Sequence, residues 1–199
     1  MLDLWLIRHG QTDGNAQRRI HGSTDTPLND AGAAQARRLA PRLAGVAFDA
    51  VFASPLRRAH ATAATALPAA DLRVDARLRE LDYGIFEDRT WEELDDAEAA
   101  IARRWREDPV NRRVPGGESY AEMTARLRAF RSELPAAGTV VAFTHGGCVR
   151  SLLYEALGQP RGNGLRFAVE NTSITRLRFD ARGATIVTVN DHAHLDGPS

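Results

Sequence analysis

Two histidines stand at the ends of two short apolar runs, and each is followed by glycine. The runs are Leu6-Ile7-Arg8-His9-Gly10 and Phe143-Thr144-His145-Gly146-Gly147. An apolar run of this length reads as a buried strand, and glycine lets the chain turn sharply where the strand stops. His9 and His145 would then sit at the C-terminal ends of two strands, the edge where open α/β sheets bind ligands. Phosphoryl transfer needs a nucleophile, donors around the phosphoryl oxygens and an acid for the leaving group. A histidine supplies the first. Arg8, beside His9, and Arg58, in the first turn of a helix that follows a strand, supply cationic donors, since a helix N-terminus already favours an anion. Gly146 and Gly147 open a further helix with no side chain to keep a phosphate from the backbone. Alone, a His-Gly pair is most often a turn and a helical arginine a solvated charge; the signal is their combination.

The elements that must position these groups follow from periodicity and capping signals. Leu2–Ile7 reads as the first strand, 10–27 as a long polar loop, and Asn29 as the cap of a helix that Pro41 should kink or end early. Phe48–Ala53 reads as a strand, with Ser54 as cap and Pro55 at the first position of the next helix. Leu72–Val74 reads as a short strand. Thr90-Trp91-Glu92-Glu93 and Ser119-Tyr120-Ala121-Glu122 are capping boxes, the second leading a helix with Met123, Leu127, Phe130 and Leu134 on one face. Thr139–Thr144 is a strand, Gly146–Leu157 a helix, and Ser173–Phe179 with Ala184–Val189 a closing hairpin, followed by a loose tail. Strands alternating with helices predict an α/β fold: a three-layer α/β/α sandwich with a mostly parallel sheet and a small helical cap, as one domain over 1–199.

Composition narrows the function. The hydrophobic share is 43% and the charged share 26%, which suits a packed domain rather than a disordered chain. Net charge is zero, so no overall field draws nucleic acid or an anionic membrane, and anion recognition must be local. All 26 basic side chains are arginine, which excludes a lysine-based mechanism. The single cysteine, Cys148, excludes an intrachain disulfide and a cysteine metal cluster, and it reads as a buried small residue. His192 and His194 lack a third metal ligand and read as part of a solvated tail, His60 reads as surface or satisfied, and Trp91 and Trp105 as core. No apolar run reaches membrane-spanning length and no leader pattern precedes the first strand, so a cytoplasmic enzyme is expected.

In order along the chain, these blocks resemble the histidine phosphatase superfamily, which includes the cofactor-dependent phosphoglycerate mutases. Arg8-His9-Gly10-Gln11-Thr12 with Asn15, Arg19 and Gly22 is similar to its opening signature. Ser54-Pro55-Leu56-Arg57-Arg58-Ala59 with Thr62-Ala63 is similar to its second block, Leu78-Arg79-Glu80 with Tyr83-Gly84 to its acid block, and Thr144-His145-Gly146-Gly147 to its last. Glu170-Asn171-Thr172-Ser173 resembles a common closing feature. The resemblance implies His9 as the nucleophile, Arg8, Arg58 and His145 around the phosphoryl oxygens, and Glu80 as acid and then base. It places Asn15, Thr12, Arg19, His21, Gly22 and Gly146 at the substrate. Glu80 would need partial burial or carboxylate neighbours, of which Asp82 and Glu87 are candidates.

The chain departs from the family pattern at three places. Asp88 stands where glycine is frequent, Gln11 where glutamate is, and His21 where glutamine or serine is. The stretch from Glu80 to Gly116 is short for a mutase, whose longer segment closes over the substrate. A short cap admits water, which favours a metal-independent, cofactor-free phosphomonoesterase acting on a small phosphate monoester, with alpha-ribazole phosphatases and broad-specificity relatives as the nearest resemblance. Neither nucleic acid nor membrane is expected as a partner, and a homodimer stays open. The alternatives are a phosphoglycerate mutase and a non-catalytic phosphate-binding protein of the same fold.

Overall fold

A computed structural model describes residues 1–159, 161 and 165–196. Its sheet has six strands: β1 (Leu2–Arg8), β2 (Ala50–Ala53), β3 (Leu72–Val74), β4 (Gly138–Thr144), β5 (Ile174–Asp180) and β6 (Gly183–Asp191), in the order β3-β2-β4-β1-β5-β6. β3, β2, β4 and β1 run parallel, and β5 and β6 add antiparallel on the far side of β1. The register aligns Ile7 with Phe143 and Arg8 with Thr144, so the two histidines leave the sheet side by side.

Strand alternation sends neighbouring residues to opposite faces, and both faces are covered. Leu2, Leu4 and Leu6 of β1 join Val140 and Ala142 of β4 beneath α5 (Tyr120–Ser132) and α6 (Gly146–Ala156). Ile7, Val141 and Phe143 join Val51 and Ala53 beneath α2 (Asp30–Leu43) and α3 (Arg57–Ala66). The result is a three-layer α/β/α sandwich with a mixed, largely parallel sheet. The chain leaves β1 toward α2 on one face and leaves the adjacent β4 toward α6 on the other. Their C-terminal ends therefore diverge, which opens a crevice at a topological switch point.

Several local expectations are corrected. The polar stretch after β1 holds a four-residue helix, α1 (Asp13–Ala16), closed by a capping box between Thr12 and Asn15. Pro41 does not stop α2: Leu39 and Leu43, both fully buried, hold its last turns on the sheet despite the lost amide donor. Ser54 does not cap α3, which starts after Leu56; its hydroxyl accepts from the Leu56 amide instead. The 76–117 stretch holds three 3₁₀ turns and α4 (Asp96–Glu107), with Phe86, Ala102, Trp105 and Val114 buried against the main core. The tail is ordered to residue 196. It makes a 3₁₀ turn at Ala193–Leu195 to which Arg38 Nη1 donates through the Leu195 carbonyl, while 197–199 lie outside the described residues. Among the described residues no helix is long and apolar enough to cross a membrane.

Candidate active site

His9 and His145 emerge from β1 and β4 with ring centroids 5.2 Å apart, and both are almost wholly buried. His9 Nδ1 lies 2.7 Å from the Gly10 carbonyl oxygen. A carbonyl can only accept, so Nδ1 carries the proton and Nε2 keeps its lone pair. That nitrogen accepts from Arg58 Nε at 3.3 Å. Burial, then the positive charges of Arg58 and Arg8, hold the His9 imidazole well below its usual pKa, so it is neutral. Burial, then Arg58 and His9, do the same for His145. His145 Nε2 is tied to the Ser54 hydroxyl at 2.9 Å, and its Nδ1 is buried with no hydrogen-bond partner among the described residues.

Arg58 stands behind His9, with 1% of its surface exposed. Its terminal nitrogens donate to the carbonyls of Thr24 (2.7 Å) and Gly22 (2.8 Å), which fixes the guanidinium and the 22–24 loop together. The loop's amides are collected by one carboxylate: Glu87 accepts from the backbone N–H of Gly22, Ser23, Thr24 and Tyr83 and from the Thr24 hydroxyl. Burial opposes ionisation of Glu87, but these donors outweigh it and hold its pKa below the usual value. Glu87 is thus a brace of the loop. Asp82 accepts from the Gly84 amide and lines a second cleft together with Glu80.

Glu80 is half-buried and is fixed by two amides. Leu81 N–H reaches Oε1 at 3.0 Å and Gly147 N–H reaches Oε2 at 2.8 Å. A Cβ at Gly147 would collide with this carboxylate, so glycine there is a condition of the Glu80 position. The same segment is stitched to β4 and α6 by Thr144 Oγ1, which donates to the Leu78 carbonyl, and by the Cys148 thiol, which donates to that of Arg79. Burial pushes that thiol up to about 12, so it stays protonated and unreactive.

A cleft of about 260 Å³ opens beside His9. Of the residues singled out in the sequence, Arg8, His9, Asn15, Arg19, His21, Glu80 and Gly146 line it. Arg58 and His145 lie behind its wall. Thr12 caps α1 and Gly22 joins Arg58 to Glu87, so neither reaches the cleft. Asn15 Oδ1 accepts from Thr12 N–H and from Asn171 Nδ2. Arg19 is engaged with Glu93 and the Asp88 carbonyl. His21 packs its ring on Gly14 and pairs with Asp88 at 2.9 Å. Asp88 adopts a left-handed backbone (φ 57°), the conformation glycine favours.

Sequence reasoning missed Arg18, Ile20 and Arg150 on the cleft wall, gave Tyr83 of the acid block no role there, and read Trp91 as core. Trp91 is instead 36% exposed at the rim, stacked on the buried Trp105. The signal for Arg150 was its spacing: four residues after Gly146 on a helix, it covers the same face. Gln11 holds the start of α2, its Oε1 accepting from Asn29 Nδ2. His60 is exposed as read. His192 and His194 bond to the Asn190 carbonyl and the Thr172 hydroxyl, and among the described residues no group of three His, Cys, Asp or Glu is placed to hold a metal ion.

The family model described as the histidine phosphatase superfamily (branch 1) matches residues 4–192. A curated protein from Salmonella choleraesuis, named probable phosphoglycerate mutase GpmB, is 34% identical over 209 aligned positions, covering all of this chain and 97% of its own length. Two solved structures are similar. The alpha-ribazole phosphatase of Shigella flexneri has a TM-score of 0.87 at 28% identity, with 96% of each chain covered. A mycobacterial glucosyl-3-phosphoglycerate phosphatase, in complex with VO3, has a TM-score of 0.84 at 33% identity, covering 94% of this chain and 98% of its own.

Proposed function

The chain belongs to the histidine phosphatase superfamily and has phosphomonoesterase activity of that type; from this premise we propose that the cleft beside His9 hydrolyses small phosphorylated metabolites through a phosphohistidine, without a metal or cofactor. The observation that carries the reading is the fixed tautomer of His9: Nδ1 is committed to Gly10, so Nε2 keeps the lone pair that a nucleophile needs. In the first step Nε2 forms a bond to phosphorus while the ester P–O bond breaks, and Glu80 gives the leaving alkoxide its proton. In the second, Glu80 takes a proton from water, whose oxygen displaces the imidazole and releases inorganic phosphate. Arg8, Arg58 and the unpartnered Nδ1 of His145 gather the charge on the equatorial oxygens, with Asn15 adding a polar contact. Arg19, His21 and Gly146 would meet the leaving group at the wall. The reading takes 1–199 as one domain, because both hydrophobic clusters share one sheet.

Alpha-ribazole phosphate is one substrate this reading offers, on the likeness to the Shigella enzyme. A second reading is a mutase. It is favoured by the Salmonella relative, which matches this chain end to end, so a short cap does not separate the two. The test is phosphate release by EDTA-treated protein from alpha-ribazole phosphate, nucleotides, sugar phosphates, 3-phosphoglycerate and 4-nitrophenyl phosphate. Metal-independent release is the expected result. Conversion of 3- to 2-phosphoglycerate with bisphosphoglycerate, without net release, would replace hydrolysis by mutase chemistry.

A further inference from the structure

Asn171 and Thr172, in the segment that leads into β5, bond to three residues of the site: Arg8, His9 and Asn15. The Thr172 amide donates to the carbonyl oxygens of Arg8 (3.0 Å) and His9 (3.3 Å). The Asn171 side-chain amide donates twice, to the His9 carbonyl at 2.9 Å and to Asn15 Oδ1 at 3.2 Å. His9 N–H is held in turn by the Thr144 carbonyl of β4 at 2.9 Å, so the residue on which Asn171 is anchored is tied to the sheet.

The chemistry of these atoms fixes which way both side-chain amides point. A carbonyl oxygen can only accept, so Asn171 turns its NH₂ group toward His9. A backbone N–H can only donate, so Asn15 turns Oδ1 toward Thr12, whose amide reaches it at 3.2 Å. Asn15 Oδ1 thus takes two donors. Its Nδ2 has no hydrogen-bond partner among the described residues, and Asn15 lines the cleft. That NH₂ group is what Asn15 has left to offer an anion. The Thr12 amide alone, three residues away, would leave the plane of the Asn15 amide free to rotate; a second donor from another segment stops it. The turn that presents this donor is strained. Thr172 is wholly buried and adopts a left-handed backbone (φ 58°), rare for a β-branched residue. Strain of this kind persists where the surroundings over-determine it. Here Thr172 Oγ1 donates to the Asn171 carbonyl at 2.8 Å, and His194 Nε2, 3.0 Å away, donates to Oγ1.

We infer that Asn171 is a positioning residue of the phosphoryl site: anchored on the His9 carbonyl, it fixes the Asn15 amide so that Asn15 Nδ2 meets a phosphoryl oxygen. Asn171 acts through Asn15 and touches no substrate. This rests on the phosphomonoesterase reading and adds a residue to it. The test is steady-state phosphate release from 4-nitrophenyl phosphate by wild type, Asn171→Ala, Asn15→Ala and the double variant. Asn171→Ala should lower kcat by about fivefold or more with KM changed less than about threefold, because a donor displaced by a fraction of an ångström still binds but fits the transition state poorly. In the Asn15→Ala background the same change should cost less than about twofold, since its target is gone. Asn171→Asp keeps the volume and loses the donor; it carries the same expectations in both backgrounds should the alanine variant fail to fold. A smaller loss in kcat, a loss confined to KM, or equal losses in both backgrounds overturns the role. No release by wild type would overturn the hydrolase reading instead.

Discussion

The cleft has two walls of different construction. On the sheet side, His9, His145 and Arg58 are 4%, 0% and 1% exposed, and each is held by groups distant in sequence: Arg58 by the 22–24 carbonyls, His145 by Ser54. On the cap side, Trp91 is 36% exposed, Arg19 reaches Glu93 across an exposed ion pair, and Asp88, the partner of His21, has 65% of its side chain in solvent. Exposed ion pairs contribute little and are screened by salt. Buried hydrogen bonds in a low-dielectric interior are stronger and costly to break. On the proposed reading the sheet wall would therefore fix the reaction, and the cap wall could change its side chains, and with them the substrate, at small cost in stability.

Substitutions on the sheet wall should produce the largest losses. His9→Ala removes the proposed nucleophile and should lower phosphate release by about 10⁴-fold or more; retained turnover would sink the phosphohistidine route. Arg58→Ala should lower kcat by about 10²-fold, the effect of losing one preorganised donor. A change confined to KM would assign Arg58 to binding alone. Glu80→Gln, at the junction of the walls, should slow alkyl esters by about 10²-fold and 4-nitrophenyl phosphate far less, because a good leaving group needs no proton. Equal losses on both esters would remove Glu80 from the acid role.

The buried histidines also make stability depend on pH. Both have folded pKa values well below the usual 6.5, so below that pH the unfolded chain binds protons that the folded one refuses. Their contribution is complete above pH 6.5 and declines as pH falls, by up to about 1.4 kcal/mol per pH unit for each histidine. Denaturant titrations between pH 7 and 5.5 should show this decline, and His145→Asn should flatten it by about one proton. An unchanged slope would mean His145 is not neutral when folded. The smallest effect is expected on the cap wall. Asp88→Gly relieves a left-handed backbone while losing an exposed contact to His21, and should shift stability by less than about 1 kcal/mol. A larger loss would show that the cap is held more tightly than its exposure implies.

The parallel strands, the hairpin and both capping boxes could be read in the sequence because each rests on local periodicity or a four-residue signal. His9, Arg58 and His145 could be picked out by type and by their place after strands, and Glu80 by the resemblance of its block to the family's. Other features depend on pairs far apart in the chain. Glu87 meets Gly22 across 65 positions, and Arg58 meets Gly22 across 36. No local pattern tells that Glu87 serves the loop amides, or that Thr12 is spent on a helix cap. The helix over Asp13–Ala16 escaped because a four-residue segment, Asp-Gly-Asn-Ala, is too short to carry an amphipathic period. The persistence of α2 past Pro41 escaped because burial of Leu39 and Leu43 overrides local propensity.

The Glu87 brace has a consequence for how the molecule opens. Its carboxylate holds amides of Gly22, Ser23, Thr24 and Tyr83, which belong to two segments that share no strand or helix. In native-state hydrogen exchange these four amides would behave as one protected unit and lose their deuterium together. The carbonyl sides of Gly22 and Thr24 rest on Arg58, which rests on His9. Opening of that unit would therefore withdraw support from His9, the proposed nucleophile, and the exchange rate of four backbone protons would report how often the protein disarms.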